Sequence, residues 1–319
     1  MSFRTPGSNE MNYSPVTRPV TAVIVTYQSE RTIGDALVAA KHCHDAGLLE
    51  AVVVDNNSSD ATRDIVEREA PWARHAFTGV NNGFGRGCNI GFAQVDTPYA
   101  IFINPDAVVE PDALRTMLQF MEGHPNVGIV GPAIVEGESG AEKELQDTGQ
   151  RPTPWTILRD AFPLLGRRPI SWPIVPGSAP TRTGWVCGAV FMVRTDLMRR
   201  LKGFDPRFFL YWEETDVCRR ADDAGVETWA VGAALTHHVG GASSSPDDTQ
   251  ASGCIAKHYF QSRYYYLTKH HGVLAAAVAE FGEFVLVSLR AMIDLVRGRG
   301  FRQLRPRLQA PLFSQPEQP

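Results

Sequence analysis

Residues 20–60 read VTAVIVTYQSERTIGDALVAAKHCHDAGLLEAVVVDNNSSD, and the fold class follows from them. The first eight residues form an apolar, β-branched run, as a strand buried on both faces requires. Residues 31–47 then place Ile33, Leu37, Ala40 and His44 at helical spacing and stop at Gly47. Ala51 to Val54 repeat the buried strand and again run into polar residues. Working outward, ATRDIVERE after Asp60 predicts a helix, and a further strand–helix pair falls around residues 76–94. TPYAIFINPDA (97–107) is a third apolar strand, followed by the helical EPDALRTMLQFMEG and the strand VGIV. Strands alternating with helices of this length predict an α/β fold, Rossmann-like, with a mostly parallel central sheet flanked by helices.

Periodicity weakens across the proline-rich stretch 136–182 and returns in GWVCGAVFMVRTDLMRRLKGFD (184–205), a strand followed by a short helix. LYWEETDVCRRADDAGVETWAV (210–231) reads as an acidic helix start, a helix stopped at Gly225, and another strand. Composition sets the outer bounds: 319 residues, 43% hydrophobic, 21% charged, net charge −4. That balance excludes disordered, collagenous and disulfide-dense chains, and it offers no basic footprint for nucleic acid. Five scattered cysteines without a CxxC pair read as free thiols of a reducing compartment. The first 19 residues are polar, with no apolar stretch of signal-peptide type, and are expected to be disordered. The expected location is cytoplasmic.

In parallel sheets, ligands bind beyond the carboxyl ends of the strands, and four polar clusters fall there. They are Thr26-Tyr27 with Ser29 and Glu30; Asp55 to Asp60; Asn104-Pro105-Asp106; and Glu213-Glu214-Thr215-Asp216 with His237-His238 further on. NNGFGRGCNIGF (81–92) adds glycines that allow close backbone approach. Its spacing is not that of a dinucleotide loop and it does not follow the first strand. A Walker A loop is absent from the sequence.

Taken in order, VIVTY, VVVDNNSSD, NNGFGRGCNIGF, FINPDA, GAVFMVR, GFDPRFFLYWEETDVCRRADDAG and HHVGGASS resemble the family 2 glycosyltransferases of GT-A fold. The nearest branch is the rhamnosyltransferase-like enzymes of bacterial polysaccharide and cell-wall assembly. The resemblance spans residues 20–266, with 136–182 as a variable acceptor-side region and 267–319 as a C-terminal helix and basic tail. It implies an inverting enzyme that moves a sugar from a nucleotide-diphospho-sugar, dTDP-rhamnose or a UDP-sugar, to a glycan or polyprenyl-linked acceptor. Thr26, Tyr27 and Asp55 would bind the base, with Asp55 accepting from a ring N–H; the alternative is that Asp55 caps a turn. Asn81, Gly83 and Gly87 would wall the base and ribose, or simply form a turn of positive φ. Asn104 and Asp106 stand at the family's DxD metal motif, with Asn in place of its first Asp. A divalent cation, Mg²⁺ or Mn²⁺, would be held there by Asp106, and by His238 in preference to His237.

The resemblance places the catalytic base at Glu214, where the family usually carries Asp, with Glu213 or Asp216 sharing the role. Asp216 could instead serve the helix dipole or pair with Arg219 or Arg220. Trp185 or Trp212 would stack on a sugar or belong to the core. The departures at positions 104 and 214 leave a second reading, a catalytically silent nucleotide-sugar binder in a polysaccharide assembly complex.

Beyond this, Leu274, Val278, Phe281, Val285, Leu289, Met292 and Val296 recur at three- and four-residue steps, with Glu280, Glu283, Arg290, Asp294 and Arg297 on the other side. The pattern predicts an amphipathic helix that packs its apolar face on the domain, or that meets an anionic membrane with the arginines of 297–307.

Overall fold

The structure, a computed structural model, describes residues 18–137, 144–161, 169–238, 249–296 and 304–316. The N-terminal half alternates as expected: β1 (Val20–Thr26), α1 (Ile33–Asp45), β2 (Leu49–Asp55), α2 (Thr62–Glu69), β3 (Arg74–Phe77), α3 (Phe84–Phe92) and β4 (Tyr99–Ile103). The short β5 (Ala107–Val108) precedes α4 (Pro111–Gly123) and the long β6 (Val127–Glu136). The proline-rich stretch holds short elements: β7 (Glu144–Leu145), β8 (Asp147–Gly149), α5 (Pro154–Ala161), β9 (Ser171–Pro173) and β10 (Thr181–Thr183). Order resumes with β11 (Val190–Arg194), α6 (Thr195–Arg200), α7 (Glu213–Asp223) and β12 (Glu227–His238). The chain closes on α8 (Thr249–His271), α9 (Val273–Val296) and α10 (Arg305–Leu308).

The main sheet runs β10-β12-β6-β11-β4-β1-β2-β3, with β5 on β12 and β7 on β6. Neighbours are parallel from β4 through β1 and β2 to β3, and again between β6 and β12. β11 is antiparallel to both β4 and β6. Two reversals restore direction, so β6 and β12 point the same way as β4. The C-terminal ends of β1, β2, β4, β6 and β12 therefore lie along one edge, and β11 brings its N-terminal end there.

The buried strand runs have a simple cause. Along β1 and β2 alternate residues enter two separate cores. Ala22, Ile24, Ala51 and Val53 pack with Leu37, Val66 and Met117 from α1, α2 and α4. Val23, Val25, Val52 and Val54 pack with Cys88, Leu197 and Val217 from α3, α6 and α7. Helices on both faces leave no strand position for a polar side chain until the strand ends. Gly87 and Gly91 let α3 lie directly on β1: a Cβ at either would come within 2.7 and 2.5 Å of Val25 and Val23.

A third cluster joins Phe208 and Trp212 to Tyr264–Leu267 of α8 and to Ala276 and Ala279 of α9. The expected division at residue 266 falls inside α8, which is continuous. The expected disordered segment, residues 1–19, lies outside the described residues except for its last two positions.

The C-terminal helix forms where the heptad-like spacing puts it, but its orientation is the reverse of the packing expectation. Glu280 and Glu283 face inward and are buried, while Leu274, Val278, Phe281, Leu289 and Met292 are exposed. The reason is electrostatic: Arg263 of α8 meets Glu280 at 2.7 Å and Glu283 at 3.1 Å, and Arg307 of α10 meets the same two acids. A buried charge must be paired, so the side of α9 that carries Glu280 and Glu283 beside Ala276 and Ala279, not its stripe of large apolar residues, docks on the domain. Arg307, counted among the free basic residues of the tail, is itself buried in this cluster.

Candidate active site

At the shared strand edge, β5 pairs antiparallel with β12, setting His238 opposite Ala107. Strand alternation leaves His237 exposed and turns His238 inward, where its Nε2 lies 3.0 Å from Asp106 Oδ1. Its Nδ1 is buried without a hydrogen bond, 3.5 Å from Glu136 Oε1 at the end of β6. Burial works against the charged imidazole, but the Asp106 hydrogen bond and the nearby carboxylates outweigh it and raise its pKa. Asn104 holds this turn through its backbone, donating N–H to Ala189 O and accepting from Ala107 N.

That contact with Ala189 ties the Asn104-Pro105-Asp106 turn to the start of β11. Gly188, next to it, faces Glu214: a Cβ there would lie 3.4 Å from Glu214 Cδ. Glu214 and Glu213 open α7, immediately after Tyr211 and Trp212, both of which adopt left-handed backbone (φ 68° and 71°). Such a conformation is costly for non-glycine residues. Here it turns the chain so that a helix begins with its acids at the sheet edge.

Glu214 is partly exposed and accepts from Thr215 Oγ1 at 3.1 Å. Glu213 is buried, with one carboxyl oxygen unpartnered. Burial first, and then the Glu214 charge, push Glu213 well above the ordinary carboxylate range; burial raises Glu214 as well. Two adjacent carboxyls sharing a desolvated place titrate as a pair. Of the two, the more deeply buried Glu213 is pushed up the further.

Asp216 does not join them. It has no exposed surface and is held by Lys269 at 2.6 Å, Arg220 at 2.7 Å and His270 at 2.8 Å. Of the pairings read from sequence, Arg220 is realised, while Arg219 goes to Asp223. The expected share of Asp216 in catalysis is thus replaced by a clamp between α7 and α8, because Lys269, Arg220 and the His270 ring already occupy its carboxylate.

The expected nucleotide end lies at the tips of β1 and β2. Thr26 is buried and donates to Asp55 Oδ1 at 2.9 Å. Asp55 also accepts from Ser58 Oγ and Ser58 N–H, so it closes the turn after β2 as the capping alternative held. Tyr27 is exposed beside it. Asn81 Oδ1 accepts from Gly83 N–H, and Asn56 Nδ2 donates to Gly83 O. Gly83 has φ 76°, and a Cβ there would sit 2.3 Å from Phe209 O. The glycines are therefore required by positive φ and close packing, and Gly83 couples this end to the loop leading into Tyr211.

Tyr211 is a site residue that sequence reasoning missed. It stands in left-handed backbone two residues before Glu213, and burial with the charges of Glu213, Glu214 and Asp106 raises its phenol. Only its position beside the acidic helix start could have signalled it. Trp212 packs between Tyr259 and Tyr266 and is buried, so it is a core residue, and Trp185 packs against the second core. Of the cysteines, Cys43, Cys88, Cys187 and Cys218 are free; burial pushes the Cys187 thiol up to about 12, far from a reactive thiolate. The side chain of Cys254, and the residues after His238 up to 248, lie outside the described set.

Residues 21–179 match the family model described as Glycosyl transferase family 2. An N-acetylglucosaminyl-diphospho-decaprenol L-rhamnosyltransferase of Mycobacterium tuberculosis is 26% identical over 245 residues, 70% of this chain and 76% of that protein. The rhamnosyltransferase WbbL of Escherichia coli is 29% identical over 184 residues, 55% and 67% of the two chains. In architecture the chain is similar to the mannosyltransferase PcManGT of Pyrobaculum calidifontis, solved with GDP-Man and Mn²⁺. The TM-score is 0.52 at 15% identity, over 92% of this chain and 85% of that one. With the strand edge, the acidic helix start and the motif order on one side of one sheet, this chain belongs to the glycosyl transferase family 2 and is a glycosyltransferase of GT-A fold.

Proposed function

We propose that the protein is an inverting rhamnosyltransferase that takes L-rhamnose from a nucleotide-diphospho-sugar, dTDP-rhamnose, and delivers it to a polyprenyl-linked or growing glycan. The observation that carries this reading is the convergence of Asp106 and His238 with Glu214 across the small residues Gly188 and Ala189. Relatives named as rhamnosyltransferases, one of them on a decaprenyl-diphosphate carrier, support the choice of donor and acceptor class.

In this reading Glu214 is the base. It takes the proton from the acceptor hydroxyl as that oxygen bonds to the anomeric carbon, and the bond from that carbon to the diphosphate breaks, releasing nucleoside diphosphate. A positioned base contributes about 10²–10⁴-fold. Burial raises its pKa above that of a free glutamate, which strengthens its conjugate base. Gly188 leaves room beside the carboxylate for an acceptor, and Tyr27, Asp55 and the Asn81–Gly83 turn bind the nucleotide.

A divalent cation fits the Asp106–His238 pair on chemical grounds. A carboxylate oxygen and an imidazole nitrogen 3.0 Å apart form a mixed donor set suited to Mn²⁺ and tolerable for Mg²⁺. When bound, it supplies charge neutralisation for the leaving diphosphate. Among the described residues no group of three His, Cys, Asp or Glu side chains forms a cage.

The reading is tested by incubating the protein with dTDP-rhamnose, UDP-sugars and GDP-sugars, each with Mn²⁺ or Mg²⁺, and measuring thermal shift and nucleoside diphosphate release. Stabilisation and turnover with dTDP-rhamnose are expected, with turnover lost in Glu214→Gln at unchanged melting temperature. Binding without turnover in any pairing would assign the chain to the silent nucleotide-sugar binders instead.

A further inference from the structure

Helix α9 presents an apolar stripe to solvent along its length. Leu274, Val278, Phe281, Val285, Leu289 and Met292 are all exposed, from 37% for Val285 to 79% for Leu274. They follow one another at three- and four-residue steps, so they share one side of a helix about 36 Å long. Isolated exposed hydrophobics need no explanation, but a continuous helical stripe does.

The acids lie on the opposite side of the helix. Glu280 and Glu283 are consumed there by Arg263 and Arg307. Arg290 and Asp294, half-buried, share that side, so the outer side is apolar. Beside it, α5 packs against α9, with Leu158 next to Gly282, and α5 carries an exposed tryptophan, Trp155. An amphipathic ring of that kind suits the headgroup level of a bilayer.

Among the described residues no helix is long and apolar enough to cross a membrane. A helix lying flat with its apolar side down needs no such length. The sequence directly after α9 then adds charge of one sign: Arg297, Arg299 and Arg302 follow, and no acid appears before Glu317. Basic residues at the end of an interfacial helix are attracted by anionic lipids. A second copy of the chain would call for flanking charges of both signs, and among the described residues of α9 no charged side chain of either sign flanks the stripe.

We propose that the outer face of α9 is an interfacial docking surface for an anionic lipid bilayer, seating the protein on the membrane without spanning it. This goes beyond the catalytic reading and does not depend on it. The apolar stripe supplies insertion, and the arginines that follow supply preference for negative headgroups.

The test uses the full chain with sedimented vesicles of phosphatidylcholine containing about one third phosphatidylglycerol, against pure phosphatidylcholine. Binding at least ten-fold tighter to the anionic vesicles is expected, weakening as salt rises. The double variant Phe281→Ser, Leu289→Ser, both at exposed positions, should lose vesicle binding at least ten-fold with melting temperature and nucleotide release unchanged. Absence of wild-type binding to anionic vesicles would overturn the proposal, as would equal binding by the double variant. So would a wild-type dimer in sedimentation equilibrium that the double variant converts to monomer, because the face would then be an interface between copies.

Discussion

Glu213 and Glu214 show one residue type raised to different extents by two degrees of burial. Glu213 is buried with an unpartnered oxygen, and burial together with the Glu214 charge pushes it well above the usual carboxylate range. A group whose native pKa is raised binds more protons folded than unfolded, so its contribution to stability falls as pH rises towards that raised value. Glu213→Gln removes the penalty. The variant should gain on the wild type by ~1 kcal/mol, about 2 °C in Tm, near pH 8. The gain should vanish near pH 4, as read by thermal melts across pH. Glu214 acts only when ionised in the proposed mechanism. Since burial raises it, kcat should climb with pH at values above the ordinary Glu range near about 4.3. A pH–rate profile with its acidic limb at or below that range would remove Glu214 from the role of base. Gly83 is a different kind of residue-scale constraint. With φ 76° and the Phe209 carbonyl 2.3 Å from any Cβ, Gly83→Ala should cost roughly 2 kcal/mol or more by clash and strain. Urea titration reads that cost. The sequence offered a positive-φ turn there as one of two readings, but not that the neighbour is Phe209, more than a hundred residues away.

At the scale of elements, the strands were legible and the helix faces were not. β1 and β2 announce themselves as buried runs because both of their sides meet helices, so no alternation is left to misread. Helices α7 and α9 have faces set by partners distant in sequence. Asp216, on α7, looks from its local sequence like a third catalytic acid or a dipole residue. Lys269, His270 and Arg220 make it a clamp instead. Burial alone would raise its pKa, but those three partners outweigh it and lower it. The stabilisation is present above the ordinary Asp value of about 3.9 and is lost as pH falls through the depressed native value. Asp216→Asn leaves Lys269 and Arg220 uncompensated and should cost about 3 kcal/mol at pH 7. The deficit should shrink on acidification, as followed by urea denaturation at several pH values. If the deficit were independent of pH down to about 2, the clamp would not be ionic.

Across the whole molecule, the inner sides of the α8–α10 segment pack against the acidic helix start. Trp212 rests on Tyr266, Asp216 on Lys269 and His270, and Arg263 on Glu280, so support for the acidic helix start is routed through residues beyond 248. A chain ended at residue 248 should lose its cooperative melting transition and its nucleotide release together, by circular dichroism and activity assay. A truncated chain that melts cooperatively would show the support to be dispensable. The amino-acid sequence by itself determined the α/β class, the run of buried strands, the family and the polar clusters at the strand ends, because each is written in local periodicity or in short motifs. Tertiary structure alone decided which clusters meet. The reversal of β11 delivers Gly188 to Glu214, and the β5–β12 pairing sets His238 against Asp106. It also decided which side of α9 faces out. Periodicity fixes the two sides of a helix, but the side that is buried is the one whose partners lie within reach, and here buried arginines selected the acids over the apolar stripe.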